Sequence, residues 1–273
     1  MTLVVIGPVT NDLVVIGDEK SSNVGGATYF QSFVFEEFYT DYLAVVNCDD
    51  EKLAFEFPNP DKVRIVLKQD THFFENNYPD KNNRDVRHQL SNFCRIPIYP
   101  EDLEEILPEN IDGFVLNPLN RYDFPAETVE YLKTFNVPMF LSIQGFLRVC
   151  GVKVNENYTI KLDNFDKLST ILEGASSIFL DEAEASIIGS DLDVDEMVIT
   201  NGSKGSRIVG DGEIKIDAVE CVNVVDTTGC GDTYMAAYIS SKLRSKSSEN
   251  AGRFASSIAS QKIERHGPYC KNE

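Results

Sequence analysis

Residues 224–235 read VVDTTGCGDTYM, and the four residues from Gly229 to Asp232 are the ones whose types and spacing could do chemistry. Glycines at 229 and 231 let the backbone take conformations closed to other residues, and they remove side chains that would keep a ligand off the peptide N–H groups. Met235, Ala236, Ile239 and Leu243 recur at helical spacing, while Val219, Val222, Val224 and Val225 predict a strand before the turn. Three successive amides, those of Gly229, Cys230 and Gly231, at the start of a helix can hold an anion, and Asp232 beside them can take a proton. The combination suits phosphoryl transfer to a hydroxyl. Two other nucleotide chemistries do not fit: GxxxxGK[ST] is absent, and GCGDTY lacks the third glycine of GxGxxG and lies near the C-terminus. Asp226 is expected to hold the turn, or a nearby cation, and the Cys230 thiol is not expected to react.

The elements that must position this turn follow from the rest of the chain. Short apolar, β-branched runs at 3–6, 43–46, 63–67, 114–116, 139–143, 178–180, 197–199, 207–209 and 222–225 alternate with helical patterns such as 27–38, 126–135, 233–243 and 249–264. Strand alternating with helix predicts an α/β fold, a mostly parallel sheet covered on both faces. From 62 to 99 the pattern changes to extended strands around an Asn-rich turn, with no helix-length apolar stripe. The run at 13–16 follows 3–6 too closely for a crossover helix. A single domain over 1–273 is expected, in which approximately 12–20 and 62–99 contribute a small β subdomain.

Composition narrows the partners. Twenty-five Lys and Arg against 44 Asp and Glu give a net charge of −19, which disfavours nucleic acid. No apolar run approaches the ~18 residues of a membrane helix, so no membrane partner is expected. The start LVVIG lacks a basic leader, and the six cysteines form no CxxC pair. A cytoplasmic protein with separate reduced thiols is the expectation.

DTTGCGD at 226–232 closely resembles the DTxGAGD motif of the ribokinase-like (PfkB) carbohydrate kinases, with Cys230 in place of the usual Ala. The resemblance extends along the chain. Asp12 in GPVTND is similar to the family's N-terminal substrate-binding Asp, and Gly25 and Gly26 to its paired glycines. DEAE at 181–184 stands where the family has NxxE, which gives Glu184 a magnesium role and leaves Asp181 in place of Asn. TNGSKG at 200–205 resembles the TxGxxG nucleotide loop. The resemblance implies a three-layer sandwich with a small β lid, ATP and Mg²⁺ as cofactors, and Asp232 as general base. Thr200, Gly202, Lys204, Gly205 and Thr228 would line the nucleotide. The lid would exclude water, and its strand edges would pair two copies into a homodimer.

Many family members carry Asn four residues after the second glycine, whereas this chain has Phe30, preceded by Tyr29. An aromatic there offers a face for a ring and fewer hydrogen bonds. GGATYF, and QGFLR at 144–148 ending in Arg148, are similar to the inositol-kinase and archaeal sugar-kinase branches. The expected activity is ATP-dependent phosphorylation of a neutral sugar or polyol such as myo-inositol. The alternatives are a nucleoside kinase and a non-catalytic ligand-binding member. A phosphorylated substrate would need clustered cations; Lys81, Arg84, Arg87 and His88 are read instead as solvated lid charges.

Overall fold

The structure, a computed structural model, describes residues 1–79, 88–189 and 192–271. Its strands in chain order are β1 (Thr2–Ile6), β2 (Thr10–Ile16), β3 (Glu19–Gly25), β4 (Tyr42–Cys48), β5 (Val63–Leu67), β6 (His72–Tyr78), β7 (His88–Ser91) and β8 (Ile111–Leu116). They continue as β9 (Met139–Ser142), β10 (Arg148–Val154), β11 (Asn157–Leu162), β12 (Ser177–Asp181), β13 (Met197–Thr200), β14 (Ser206–Val209) and β15 (Glu213–Ile216). The helices are α1 (Ala27–Phe38), α2 (Pro100–Leu103), α3 (Ala126–Lys133), α4 (Gln144–Leu147), α5 (Leu168–Leu172), α6 (Glu182–Ala185), α7 (Cys230–Lys242) and α8 (Ser248–Ile263). None of the described helices is long and apolar enough to cross a membrane, and all six cysteines are free.

Nine strands form a central sheet in the order β15-β14-β13-β12-β9-β8-β1-β4-β5, parallel from β13 to β5 and antiparallel where β14 and β15 are added. Leu3, Val4, Val5 and Ile6 are all fully buried because each face of the sheet carries helices. Leu3 and Val5 join the core with α1, α7 and α8, while Val4 and Ile6 join the opposite core with Val129, Leu132 and Leu168. A continuous apolar run is what such a strand requires. The result is the ribokinase-like α/β architecture.

Six further strands form a second sheet, β10-β11-β7-β6-β2-β3. Its extent corrects the expected subdomain. Val63–Leu67, placed in the subdomain by the 62–99 boundary, is instead β5 and pairs in parallel with β4 of the central sheet. The N-terminal contribution runs over 10–25 rather than 12–20, since β2 pairs along its whole length with β3 and, in parallel, with β6. The hairpin β10–β11 belongs to it as well. Asn155 at φ 55 makes the tight turn there, the left-handed conformation that Asn tolerates in two-residue hairpin loops. The predicted strand at 222–225 does not form. Val222 is 99% exposed, and the amides of Val225 and Asp226 bond the Ile263 carbonyl at the end of α8 instead of a neighbouring strand.

Candidate active site

The turn at 226–232 leaves an irregular segment and enters α7. Gly229 caps the helix at φ 74, and Thr233 donates to its carbonyl at 2.8 Å to start the helical ladder. The Cys230 amide, expected as one of three anion donors, is turned to the Thr227 carbonyl at 3.2 Å. Two amides, those of Gly229 and Gly231, remain without a partner among the described residues. Asp232 lies in the first turn of α7. Gly229 has no room for a side chain, because a Cβ would stand 2.3 Å from Phe30 Cδ1.

Phe30 is therefore the floor under the turn. It is buried, edge-on to Tyr29 at 5.6 Å, and Tyr29 packs in turn on Phe33 and Phe57. The rest of the turn is tied from behind. Asp226 Oδ1 accepts from the Thr228 amide at 2.9 Å and Oδ2 from the Gly267 amide at 3.1 Å. Burial would raise the Asp226 carboxyl, but Lys262 and these amides outweigh it and hold it below the usual carboxylate range. Burial pushes the Cys230 thiol up to about 11, so at neutral pH it is protonated and a poor nucleophile.

One cavity of about 370 Å³ collects Asp232, Gly229, Gly231, Thr228, Asp12, Gly26, Phe30, Arg148, Glu184, Asp181 and Thr200. Asp12 projects from β2, and the Thr10 hydroxyl donates to its Oδ1 at 2.6 Å. Gly25 does not line the cavity. It makes room for Asp12 and Thr10, whose side-chain oxygens would lie 2.6 Å from an added Cβ. Gly26, at φ 97, passes within 2.5 Å of the Pro8 carbonyl by the same measure and opens α1 into the cavity. Two helix N-termini, α1 and α7, thus meet one space that an anion can enter.

Arg148 begins β10, is buried, and places its guanidinium 5.6 Å from the centre of the Phe74 ring. Asp181 and Glu184 cap α6 reciprocally, through Glu184 N to Asp181 Oδ1 at 2.8 Å and Asp181 N to Glu184 Oε2 at 2.9 Å. Burial, with the neighbouring Asp181 carboxylate, pushes Glu184 up to about 7 against the opposing pull of Arg148.

A second cavity of about 730 Å³ joins the first at Thr200, Thr227 and Gly231, and is lined by Gly202, Lys204, Gly205, Val219 and Tyr234. Four of the five residues expected against a nucleotide lie here. Thr228 does not: it faces the smaller cavity. Gly205, at φ 90, would bring a Cβ within 2.1 Å of the Ile216 carbonyl. Sequence reasoning missed Asn76, Gln89 and Gln144, which also line the small cavity. Gln89 Nε2 donates to Asn76 Oδ1 at 2.8 Å across β6 and β7, and only this cross-strand pairing reveals those two, whereas Gln144 opens the QGFLR stretch. His88 is exposed at the start of β7, and Lys81, Arg84 and Arg87 lie outside the described residues.

Residues 159–273 match the pfkB family carbohydrate kinases, a stretch that includes Glu184, the 200–205 loop and the 226–232 turn. The match covers the C-terminal 115 of the 273 residues. Over 143 residues the chain is 29% identical to a ribokinase of Arabidopsis thaliana, covering 52% of this chain and 38% of the relative. Over 71 residues it is 44% identical to a nucleoside kinase of Methanothermobacter thermautotrophicus, covering 26% and 23%. The chain thus spans well under half the length of these relatives. Among solved structures it superposes with a TM-score of 0.82 on a pyrophosphate-dependent kinase in the ribokinase family, complexed with a pyrophosphate analogue and myo-inositol. That chain is 21% identical, with 98% of this chain and 97% of that one covered, and the agreement extends the ribokinase-like fold over the N-terminal half.

Proposed function

We propose that the protein transfers a phosphoryl group from MgATP to a hydroxyl of a neutral sugar or polyol held in the smaller cavity. The observation that carries this is the meeting, in one 370 Å³ space, of a proton acceptor, Asp232, with the amides of Gly229 and Gly231 and with a second carboxylate, Asp12. Asp12 accepts hydroxyl hydrogen bonds from the acceptor while Thr10 fixes its orientation. Asp232 takes the proton of the hydroxyl as that oxygen attacks the γ-phosphorus. The new P–O bond forms as the bond to the β-bridging oxygen breaks, and ADP leaves. The amides and the positive ends of α1 and α7 stabilise charge on the transferring oxygens. Closing of the second sheet over the acceptor would exclude water.

The larger cavity supports a nucleotide donor, because its 730 Å³ is more than a bare phosphoanhydride fills. Among the described residues no cluster of three metal-ligating side chains exists. Asp181 and Glu184 fit a magnesium ion that arrives on the donor phosphates with most of its water, the usual manner of that ion. When bound, it would neutralise phosphate charge.

Charge supports a neutral acceptor. Asp12, Asp181 and Asp232 surround the cavity, Arg148 is the one basic side chain among the described residues lining it, and carboxylates repel an acceptor phosphate. The test is kcat/KM for myo-inositol, ribose, fructose, adenosine, cytidine and fructose 6-phosphate, each with MgATP and with pyrophosphate. Transfer from MgATP to a neutral polyol is expected to be best. A best value for fructose 6-phosphate by tenfold, or turnover with pyrophosphate alone, would overturn the acceptor or the donor respectively.

A further inference from the structure

Behind the phosphate-facing turn lies a buried cation to which the reaction outlined above gives no role. Lys262 occupies the last turn of α8 and is 1% exposed. Its Nζ donates to the Asp226 carbonyl oxygen at 2.8 Å and stands 3.4 Å from Asp226 Oδ2. The next residue, Ile263, accepts the amides of Val225 at 2.9 Å and Asp226 at 3.1 Å. These bonds fasten the start of the 226–232 turn to the end of a helix that has itself no residue in the acceptor cavity.

A lysine out of water is costly unless paired and hydrogen-bonded. Here the pairing has a direction. Left alone, the Asp226 carboxylate would set a negative charge three residues before the first of the amides that must hold phosphate, in surroundings where charges are weakly screened. We infer that Lys262 is a positioning residue for phosphoryl transfer: its ammonium fixes Asp226, and through Asp226 the amides of Gly229 and Gly231, and offsets within the protein the charge that the donor phosphates bring. This rests on the phosphotransferase reading above. The ammonium is also felt at Cys230, the first residue of α7, where it opposes the effect of burial on the thiol.

A carbonyl oxygen and a carboxylate oxygen around one ammonium are also the ligands a small free monocation would take. Shortening the side chain should leave a place for such an ion, and this separates positioning by charge from mere packing. Two variants of the full chain, Lys262→Met and Lys262→Ala, are compared by urea unfolding, by calorimetric binding of inorganic pyrophosphate, and by kcat and acceptor KM with MgATP. Lys262→Met is expected to unfold cooperatively, to bind pyrophosphate about tenfold more weakly, and to lose about tenfold to hundredfold in kcat with acceptor KM within threefold. The loss should fall short of the 10²–10³ that removing a direct anion donor costs. Methylammonium chloride should return at least tenfold of the lost kcat to Lys262→Ala and leave the parent unchanged.

Pyrophosphate affinity and kcat within threefold of the parent in folded Lys262→Met would overturn the inference, whatever the loss in stability. Folded Lys262→Ala that methylammonium does not rescue would overturn it too. Should Lys262→Met fail to fold, Lys262→Ala purified in methylammonium decides alone. If the parent phosphorylates no acceptor, the kinase reading fails, and the pyrophosphate affinities still decide whether Lys262 supports the turn.

Discussion

Gly229→Ala adds one methyl group at a position with two independent objections to it. The backbone there has φ 74, a left-handed conformation that costs an L-residue roughly 1–2 kcal/mol. The new Cβ would also stand 2.3 Å from Phe30 Cδ1, 2.6 Å from Cγ and 2.7 Å from Cε1, far inside the ~3.5 Å of carbon contact. Phe30 can retreat only toward the cavity it lines, since on its other side the Tyr29 ring meets it edge-on and is itself wedged against Phe33 and Phe57. Overpacking of this kind costs about 1–3 kcal/mol. The two together predict a loss of about 2–5 kcal/mol, out of the 5–15 kcal/mol that holds a typical domain folded. Urea unfolding followed by far-UV circular dichroism measures it. The double variant Gly229→Ala/Phe30→Leu should recover the overpacking part and keep the backbone part. In folded Gly229→Ala, displacement of the turn should lower kcat by about 10²–10³, the worth of an anion donor. A single variant within about 0.5 kcal/mol of the parent, the range of an ordinary surface change, would refute Phe30 as a rigid floor. A double variant no more stable than the single one would show that the contact was not the cause.

Asp232→Asn should keep the fold and nucleotide binding yet lower kcat by about 10²–10⁴; activity within threefold of the parent removes Asp232 as the base. Cys230→Ala should be nearly silent in kcat, because the thiol is protonated at neutral pH and its amide is spent on Thr227, and an inactive variant would contradict this. Burial gives folded Glu184 a proton that the unfolded side chain releases near 4.5, so the stability this group contributes is present at low pH and lost as pH rises through about 7. Glu184→Gln should therefore gain on the parent in urea midpoint between pH 5 and pH 8, and a constant difference would refute that titration. Two copies are expected to pair through the second sheet, where β3 and β10 stand at the open edges; light scattering that shows a monomer at high concentration rules this out.

The sequence was most legible where one physical demand acts alone. The helix over 27–38 appears with the expected ends because its periodic core residues follow Gly26, whose φ of 97 ends strand β3. The turn at 226–232 was legible because the entry into α7 needs glycine at 229, where φ is 74 and a Cβ would meet Phe30. The valines at 222–225 misled, since β-branched residues at the mouth of a cavity look locally like those of a strand and only the absent neighbour tells them apart. The place of β5 depended on which sheet supplied its partner, a long-range choice that 62–99 does not encode locally. Lys262 was invisible for the same reason: a lysine near a helix end reads as a solvated charge until the loop that buries it is known.

The strands of the second sheet come from 10–25, 72–78 with 88–91, and 148–162, and the chain passes between it and the main body at 7–9, 25–26, 68–71, 92–99, 147–148 and 163–167. A plate hung on so many straps cannot be cut out, transplanted or exchanged between copies as a cassette. Nor can it swing on one hinge; any tilt must twist the straps together. Thr10, Gly26 and Arg148 stand at or beside three of them and also line the smaller cavity. A molecule that pushed on those residues from within the cavity would bear directly on the attitude of the plate, with no relay between the two.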